Sequence, residues 1–490
     1  MAEFSFYWHD YETFGRNPRR DRPAQFAGVR TDAELNEIEP PLVRYCRPTD
    51  DDLPDPESCL LTGITPQTCL ERGVVEPEFA AEIERRLAEP GTVGVGFNSI
   101  RFDDEVTRYT LYRNLCDPYA REWRHGNSRW DLIDVVRMTY AFRPEGIEWP
   151  LEQGVPTFRL ERLTAANGID HAGAHDALAD VRATIALARL LKQRQPRLFA
   201  YAFGLRRKQA VLKHLNLDAP QPVLHVSSRF PAARACSALV LPLLRQPDNA
   251  NGIVVWDLAT DPAPLFELPI EAIRQRVFSS RAELGEGVDR LPLKTVHINR
   301  SPMLAPPQVL DDAGYRRVGI DRGACERHAQ RLLAGFDTLR ARLAGLYDAR
   351  GFADGGDPDT QLYAGFFGDR DRALMDQVRQ ASPEQLAQWQ PPFEDARLPE
   401  LLFRYRARNF PGSLSPLEAR RWEQQRQRRL QASRPDGLDG YCRDLSGRLA
   451  AAAPGSRDAG ILRELLHYAG ALAGAGEGAA HNPSDPEIKR

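Results

Sequence analysis

The length, composition and charge of the chain set the first limits on its architecture and partners. Its 490 residues are 42% hydrophobic, and 65 Lys+Arg against 68 Asp+Glu leave a formal net charge of −3. A chain of this length exceeds one ordinary compact domain, so we expect two or three domains. The near balance of charge excludes a global basic field, and any nucleic-acid binding must come from local patches.

The number and spacing of the cysteines, together with the hydropathy of the chain, indicate the cellular compartment of the protein. The seven cysteines are odd in number and never spaced as CxxC, which argues against a disulfide framework and against a zinc module. No stretch has the features of a secretory signal or the length of a bilayer-spanning helix. We therefore expect a cytoplasmic protein that does not use a membrane.

The first part of the chain alternates strand and helix patterns. Apolar residues recur at helical spacing over residues 176–191, and Pro196 marks the end of that helix. The pattern predicts an α/β domain over residues 1–195. Its strands are predicted at residues 4–10, 24–31, 42–46 and 92–97.

The composition changes twice further along the chain. Short β-like pieces such as VLHVSS and GIVVWDL, separated by turn residues, predict a β-rich domain over residues 196–350. Helical patterns dominate residues 351–472 and predict a helical domain. Residues 473–490 have low complexity and little to bury, so we expect a disordered tail.

Two acidic residues on the first predicted strand give the sharpest local signal. Asp10 and Glu12 lie in the run FYWHDYETFG, and because side chains alternate along a strand, both carboxylates project from one face. Carboxylates held this close repel each other unless a cation lies between them, and hard oxygen ligands favour Mg²⁺ or Mn²⁺. An isolated DxE is also compatible with solvated acids at a strand end.

Further acidic and imidazole side chains are predicted to reach the same edge of the sheet. Asp103, with Asp104 as its alternative, follows the apolar strand TVGVGFN, although either could instead cap a helix. His175 and Asp180 lie in HAGAHDALADV, and their offset of about 140° on an ideal helix keeps them off one stripe. We therefore place His175 in the loop or cap before the helix and Asp180 on the helix face against the sheet.

These motifs resemble those of a known nuclease superfamily. DYETFG, the acid after FNSIRF, and HDALAD are similar to the pattern of the DEDDh 3′→5′ exonucleases. Within that superfamily, runs such as DRPAQFAGVRTD, NSIRFDDEVTRY, RPEGIEWP, QLYAGFF and RYRARNFPG resemble the single-strand-specific branch, the bacterial exodeoxyribonuclease I family. The resemblance extends from residue 4 to about residue 472. It implies the α/β fold class, with a ribonuclease-H-like exonuclease domain, an SH3-like β domain and a helical C-terminal domain.

The resemblance also implies an activity and a cofactor. Asp10, Glu12 and Asp180 would ligate two Mg²⁺ ions, with Mn²⁺ as an alternative, and Asp103 would support the second ion directly or through water. His175 would be the general base, and Glu12 would be a catalytic residue as well as a metal ligand. Two ions about 4 Å apart neutralise the charge on a phosphodiester under attack, and an imidazole can take a proton at neutral pH. The expected enzyme is a single-strand-specific 3′→5′ exodeoxyribonuclease that releases 5′-mononucleotides in DNA repair and recombination.

Aromatic and basic side chains are candidates for DNA contacts. In CDPYAREWRH, Asp117 and Pro118 are typical of a helix start, which would place Tyr119 and Trp123 on one helix face. Unpaired bases can stack on such a face, although core packing is the alternative. Phosphate contacts are predicted for Arg108, Arg137 and Arg159, each of which could instead be a solvated surface arginine.

The helical domain contributes a run in which arginine alternates with aromatic residues. FRYRARNFPG contains Arg404, Arg406 and Arg408, and this mixture suits a single-stranded backbone and its bases. We therefore predict that these arginines face phosphates several nucleotides from the scissile bond. A second basic run, RRWEQQRQRR, is predicted to be a solvated helix face.

The resemblance implies one protein partner. Members of the family bind the acidic, apolar-ended C-terminal tail of single-stranded-DNA-binding protein, and we expect the chain to do so as a monomer. The predicted contacts are Arg143, Arg316, Arg317 and Arg322.

Two other functions are considered. One is another DEDDh enzyme, such as a proofreading subunit or an oligoribonuclease, but nearly 300 residues beyond Pro196 exceed what those enzymes need. The other is a catalytically silent nucleic-acid-binding protein, against which the presence of every acid and base position counts.

Overall fold

The computed structural model describes residues 4–173, 175–347 and 356–477. Along these ranges an α/β region, a β-rich region and a helical region follow one another in the predicted order. None of the helices in the described ranges is long and apolar enough to cross a membrane.

A five-stranded mixed sheet forms the centre of the first region. In the spatial order β3-β2-β1-β4-β5, the pairs β1–β2 and β2–β3 are antiparallel, whereas β1–β4 and β4–β5 are parallel. Parallel pairing brings the carboxyl ends of β1, β4 and β5 to one edge of the sheet. The strands are β1 (Ser5–Thr13), β2 (Pro23–Thr31), β3 (Leu42–Tyr45), β4 (Thr92–Gly96) and β5 (Ser128–Asp131).

The four predicted strands are all present, whereas β5 has no counterpart among them. Its four residues, SRWD, are too few to show a periodic pattern. A hairpin of two short strands follows later in the same region. Its strands are β6 (Leu151–Glu152) and β7 (Val155–Pro156).

Helices cover both faces of this sheet. The helix α7 packs on β1 and β2 and buries Val181, Ile185 and Leu191, as the helical spacing predicts. The helices of this region are α1 (Pro56–Thr62), α2 (Pro66–Arg72), α3 (Glu76–Leu87), α4 (Asp103–Arg113), α5 (Leu132–Phe142), α6 (Leu160–Ala166), α7 (Ala177–Arg194), α8 (Pro196–Gly204) and α9 (Lys208–His214).

The predicted domain boundary at residue 195 falls between α7 and α8. Both helices belong to one hydrophobic core, and the Phe199 ring of α8 lies 5.1 Å from the Trp130 ring of β5, centroid to centroid. By packing, α8 therefore belongs with the first region. The exact domain boundaries stay predictions.

An antiparallel five-stranded sheet forms the second region, with the order β11-β10-β9-β8-β12. Its strands are β8 (Val223–Val226), β9 (Ser237–Arg245), β10 (Gly252–Asp257), β11 (Leu293–His297) and β12 (Met303–Ala305). The accompanying helices are α10 (Ala263–Glu267), α11 (Ile270–Phe278), α12 (Arg281–Leu284), α13 (Asp312–Arg317), α14 (Arg322–Ala334) and α15 (Phe336–Ala344).

The third region is helical, and its last helix corrects the predicted tail. Leu465, Ala469 and Leu472 of α21 are buried in a core shared with α1, α2 and α20, and the helix continues to Glu477. A disordered tail from residue 473 is therefore wrong for residues 473–477, and residues 478–490 lie outside the described residues. The helices are α16 (Asp369–Gln380), α17 (Pro383–Gln388), α18 (Leu398–Asn409), α19 (Pro416–Ala432), α20 (Gly437–Ala451) and α21 (Arg457–Glu477).

Candidate active site

Three carboxylates converge at the edge of the first sheet. One oxygen from each of Asp10, Glu12 and Asp180 lies within 4.8 Å of the others. Asp10 and Glu12 share one face of β1 because a single residue separates them, and Asp180 meets them from the first turn of α7. The convergence that the spacing predicts is present, with hard oxygen donors of the kind that Mg²⁺ and Mn²⁺ prefer.

The structure distinguishes Asp103 from Asp104. Asp103 begins α4 and accepts a hydrogen bond on Oδ1 from the backbone N–H of Tyr11, between the two acids of β1, at 3.1 Å. Asp104 is directed elsewhere and receives Arg121 Nη2 at 2.7 Å and Arg129 Nη1 at 3.0 Å. Asp103 is therefore the acid that faces the cluster, and Asp104 is already neutralised by two guanidinium groups.

The same contrast appears in the pKa values of the acids. Burial raises the pKa of Glu12 to about 9, and the charges of Asp180 and Asp103 add to the shift. Burial, followed by the charge of Asp104, raises the pKa of Asp103 to about 8. For Asp104, burial acts in the same direction, but Arg129 and Arg121 hold its pKa below the ordinary value.

The pKa shift of Asp10 indicates what the cluster needs. Burial raises the pKa of Asp10 well above its ordinary value, and the charges of Asp103, Glu12 and Asp180 raise it further. Crowded, buried carboxylates without a countercharge are costly. A bound divalent cation would remove that cost, so the donor set and its charge both fit the metal role predicted for these residues.

The start of α7 is tied to the sheet by a side-chain contact. Gln25 Oε1 on β2 accepts a hydrogen bond from Ala177 N at 3.2 Å, and Gln25 Nε2 donates to Asp176 at 3.4 Å. Asp176 also caps the helix by accepting from Ala179 N. This anchoring sets the distance of Asp180 from β1.

His175 lies in the loop before α7, as predicted, and is half-buried. Its φ of 71° is a left-handed conformation that non-glycine residues adopt uncommonly. Burial raises the pKa of Asp180, while the hydrogen bond from His171 and the nearby His175 act to lower it. His175 is therefore close to the cluster, and its role as general base stays a prediction.

A second histidine at the site was not singled out from the sequence. His171 Nε2 lies 2.5 Å from Asp180 Oδ1, although this residue is part of the same HAGAHDALADV run. The available signal was its position four residues before His175. Spacing alone cannot show which of two loop imidazoles turns toward a helix.

The helix predicted from Asp117 and Pro118 is wrong. Two 3₁₀ turns form there instead, Ala120–Glu122 and Arg124–Gly126, and the second contains the left-handed His125, with a φ of 54°. Asp117 still caps the turn by accepting from the backbone N–H groups of Tyr119 and Ala120.

Tyr119 and Trp123 nevertheless line one cavity, of about 280 Å³, between the first and third regions. Trp123 is 63% exposed, and Phe366 on the opposite wall is 81% exposed. The rings of Tyr119 and Phe366 lie 5.4 Å apart, centroid to centroid, at 70°. Exposed aromatic faces of this kind suit stacking of unpaired bases.

Two of the three arginines predicted for phosphates in the first region are engaged in ion pairs. Arg108 Nε donates to Glu122 at 2.7 Å and its Nη1 to Tyr363 at 2.9 Å, and Arg137 pairs with Asp134 at 2.9 Å. With side chains 6% and 11% exposed, each offers a phosphate only a small part of its surface. Arg159 is exposed.

The basic surface predicted from Arg404, Arg406 and Arg408 is not formed, and this interpretation is wrong. Their side chains are 10%, 9% and 3% exposed. The physical reason is the acidic groups that face α18, since each of the three guanidinium groups is paired with carboxylates. The pairs are Arg404 with Asp357, Asp359 and Glu400, Arg406 with Glu418, and Arg408 with Asp51 and Asp359.

The second basic run, on α19, is only partly the solvated face that was predicted. Arg420 and Arg428 are exposed, whereas Arg426 is 2% exposed and donates to the carbonyl of Leu472 at 3.0 Å. The helix therefore uses one arginine to bind the carboxyl-terminal part of α21.

A large basic cavity, of about 980 Å³, lies between the first and second regions. It reaches Arg101, which precedes Asp103 on the loop after β4. Part of its lining comes from LKTVHINR, residues 293–300 of the predicted β-rich domain, and a strand pattern does not show which side chains face a neighbouring domain. The basic side chains that line the cavity include Arg101, Arg229, Lys294 and Arg300.

The four arginines predicted for the partner tail, Arg143, Arg316, Arg317 and Arg322, are all exposed. Arg143 and Arg317 donate to backbone carbonyl groups of Val309 and Tyr140, and Arg322 forms an exposed pair with Glu326 at 2.9 Å.

The chain is similar to known proteins over nearly its whole length. Three family models match in order: Exonuclease over residues 7–188, Exonuclease I SH3-like domain over residues 206–349, and Exonuclease I C-terminal domain over residues 356–472. Exodeoxyribonuclease I of Escherichia coli K12 is 45% identical over 95% of this chain and 97% of its own. The Haemophilus influenzae protein of the same name is 46% identical over 88% of this chain and 92% of its own.

Solved structures show the same similarity. Exonuclease I from Methylocaldum szegediense has a TM-score of 0.91 at 52% identity, covering 96% of this chain and 99% of that one. The zinc-bound complex of E. coli exonuclease I with single-stranded DNA has a TM-score of 0.91 at 44% identity, covering 96% and 100%. A structure of SSB and exonuclease I with an inhibitor has a TM-score of 0.88 at 43% identity, covering 96% and 100%. Because all three domains match in order and relatives share nearly the entire length, the chain belongs to the exonuclease I family.

Proposed function

We propose that the chain is a single-strand-specific 3′→5′ exodeoxyribonuclease that releases 5′-mononucleotides with two Mg²⁺ ions and acts in DNA repair and recombination. The observation that carries this proposal is the cluster of Asp10, Glu12 and Asp180 in a chain of the exonuclease I family. E. coli relatives are solved with single-stranded DNA, one of them with zinc. Mg²⁺ is our choice because the donors near the cluster are carboxylate oxygens.

The residues of the site have distinct tasks in this proposal. Asp10, Glu12 and Asp180 hold metal ions, and Asp103 supports them from the start of α4. Bound divalent ions supply charge neutralisation at the phosphate and at the departing 3′-oxygen. His175 accepts the proton of the attacking water, for which its place in the loop beside Asp180 is suited.

We place the DNA along two surfaces that flank the site. The aromatic cavity of Tyr119, Trp123 and Phe366 stacks unpaired bases, since every base has a face that an aromatic ring can cover. The basic cavity takes backbone phosphates through Arg101, Arg229 and Arg300, which line it. Neither surface reads base edges, which suits an enzyme that degrades single strands of any sequence.

The proposed activity is tested with matched 5′-labelled substrates: single-stranded DNA, duplex DNA and RNA of one sequence. With Mg²⁺, single-stranded DNA should shorten stepwise while its label is retained, and mononucleotides should appear. Duplex DNA and RNA should be degraded far more slowly, and EDTA should stop the reaction. Release of the label in the first product, or cleavage in EDTA, would contradict the proposal.

Removal of the proposed base should change the pH dependence of the reaction. We expect His175→Ala to remove the acidic limb of the pH–rate profile, because a general base must be deprotonated to act. Metal binding, followed by calorimetry with Mn²⁺, should be largely unchanged. A mutant profile that keeps the wild-type acidic limb would assign the proton transfer to another group.

Removal of an exposed ring from the aromatic cavity should weaken DNA binding. Stacking of a base is worth about 1–3 kcal/mol, so Trp123→Ala should reduce affinity for single-stranded DNA by about 5- to 150-fold. Fluorescence anisotropy in EDTA, which prevents degradation, measures this change. Leu417→Ala, which removes a 78% exposed apolar side chain on α19, is the control. Equal affinities for both variants would show that Trp123 does not stack on DNA.

We further propose that Arg316 contacts the acidic, apolar-ended tail of single-stranded-DNA-binding protein. A relative has been solved with SSB, and Arg316 is one of the exposed arginines predicted to contact the tail. Anisotropy of a labelled peptide with these properties, compared between the wild type and Arg316→Ala, tests the contact, and equal affinity would exclude it. A cytoplasmic location and a monomeric state remain our expectations.

A further inference from the structure

His171 occupies a defined place beside the carboxylate cluster. It lies between α6 and α7 with its side chain 8% exposed. One ring nitrogen, Nε2, is 2.5 Å from Asp180 Oδ1, and the other, Nδ1, is 3.2 Å from Thr164 Oγ1 on α6. The imidazole therefore bridges two helices and ends on a residue of the cluster.

The hydrogen bonds of Thr164 determine how the ring is held. Its Oγ1 lies 2.9 Å from the carbonyl oxygen of Leu160, 3.1 Å from that of Glu161 and 3.2 Å from His171 Nδ1. A neutral imidazole carries one N–H, so a ring that donates from Nε2 to the Asp180 carboxylate accepts at Nδ1 from the Thr164 hydroxyl group. This bond anchors the ring to α6 and directs Nε2 at Asp180.

The contact acts on the orientation of the Asp180 carboxylate. An aspartate on a helix can adopt more than one side-chain rotamer, and α7 by itself does not select among them. His171 engages one of the two carboxylate oxygens and so restricts the group to one arrangement. Partners of this kind orient ligating carboxylates, and their loss typically reduces metal affinity or activity by about 10- to 100-fold.

We infer that His171 is a positioning residue that holds Asp180 in the orientation that binds metal, with Thr164 as its anchor. This inference rests on the metal role proposed for Asp180. It separates the two histidines of the loop: His175 moves a proton, whereas His171 arranges a ligand. A histidine that only joined α6 to α7 would affect stability and leave metal affinity unchanged.

A matched pair of amide variants tests the inference. The side-chain nitrogen of Gln can reach the position of Nε2, whereas that of Asn reaches only the position of Nδ1. His171→Asn should weaken Mn²⁺ binding, measured by calorimetry on the full chain, by about 10- to 100-fold, and His171→Gln should bind close to wild-type strength. The Mg²⁺ concentration that gives the half-maximal nuclease rate should rise for His171→Asn and change little for His171→Gln. High Mg²⁺ should restore most of the rate of His171→Asn.

The anchor provides a second test that keeps the imidazole. Thr164→Val removes the hydroxyl group at similar volume, and Thr164→Ser retains it. Thr164→Val should weaken Mn²⁺ binding, and Thr164→Ser should not. If His171→Asn does not fold, as judged by its thermal unfolding in EDTA, this pair decides the question in the same way.

The outcomes separate this inference from the proposed function. Wild-type Mn²⁺ affinity in His171→Asn would overturn the positioning role, as would equal weakening by His171→Asn and His171→Gln. Wild-type affinity in Thr164→Val would overturn the role of Thr164 as the anchor. Asp180→Asn is measured in the same titration. If it abolishes binding while His171→Asn has no effect, only the role of His171 fails; if it has no effect, the proposed metal site itself fails.

Discussion

Asp180→Asn should reduce the nuclease rate on single-stranded DNA at saturating Mg²⁺ by at least about a thousandfold, equivalent to about 4 kcal/mol of activation free energy. The substitution keeps the volume of the side chain but replaces one carboxylate oxygen, and with it the negative charge, in the cluster with Asp10 and Glu12. The fold and single-strand binding should be retained. Rates on labelled oligonucleotides, with thermal unfolding as a check of the fold, measure this.

Asp176→Asn is the matched control for this experiment. Asp176 caps the same helix and lies near enough to raise the pKa of Asp10 and Glu12, and Asn caps a helix about as well as Asp. It therefore removes a nearby negative charge without removing a member of the cluster, and its loss of rate should be much smaller. Asp180→Asn activity within about tenfold of the wild type would rule out the ligand assignment.

Arg408→Met should destabilise the protein strongly. The Arg408 side chain is 3% exposed and joins Asp51, at 2.8 Å, to Asp359, at 2.5 Å, whose side chains are 0% and 4% exposed. Removing one partner of a buried ion pair costs about 3–5 kcal/mol, and we expect the lower part of that range because Arg429 still contacts Asp51 and Arg404 still contacts Asp359. The shift of the urea midpoint, multiplied by the slope of the transition, measures this loss.

Arg428→Met, on the exposed face of α19, is the control and should change stability by less than about 0.5 kcal/mol. Wild-type stability in Arg408→Met, together with a weaker salt dependence of DNA binding, would instead restore the predicted phosphate contact.

The same ion pairs imply a pH dependence with a defined sign. Burial acts to raise the pKa of Asp359, but Arg408 holds it well below its ordinary value. A carboxyl whose pKa is depressed in the folded state stabilises the fold above its unfolded pKa, about 3.9, and loses that contribution as pH falls through the folded value. The difference in stability between the wild type and Arg408→Met should therefore be largest at neutral pH and shrink in acid.

The arginines of α18 illustrate where sequence interpretation failed. Alternation of arginine with aromatic residues is compatible both with a surface for single strands and with an interior helix neutralised by acids. The deciding partner of Arg408 is Asp51, which lies 357 residues earlier in the chain. No local pattern reports a pairing over that separation.

Local geometry explains what the sequence determined by itself. Asp10 and Glu12 share a face because strand side chains alternate, and the helical spacing of α7 directs Asp180 toward the sheet while leaving His175 in the loop. These relations depend on a few neighbouring residues and hold wherever the element forms. The order of the three domains was likewise readable, because composition and motifs change at each one.

Only the tertiary structure decided which charged side chains are neutralised by ion pairs and which remain available to the site. Asp103 faces the cluster while Asp104 is held by Arg121 and Arg129, and His171 reaches Asp180 because α6 supplies Thr164 to hold it. In each case, a side chain from a different helix or strand determines which of two neighbouring or similar residues reaches the cluster. Charge and hydrogen-bond partners act over a few ångströms in space, and the chain brings those partners together only when it folds.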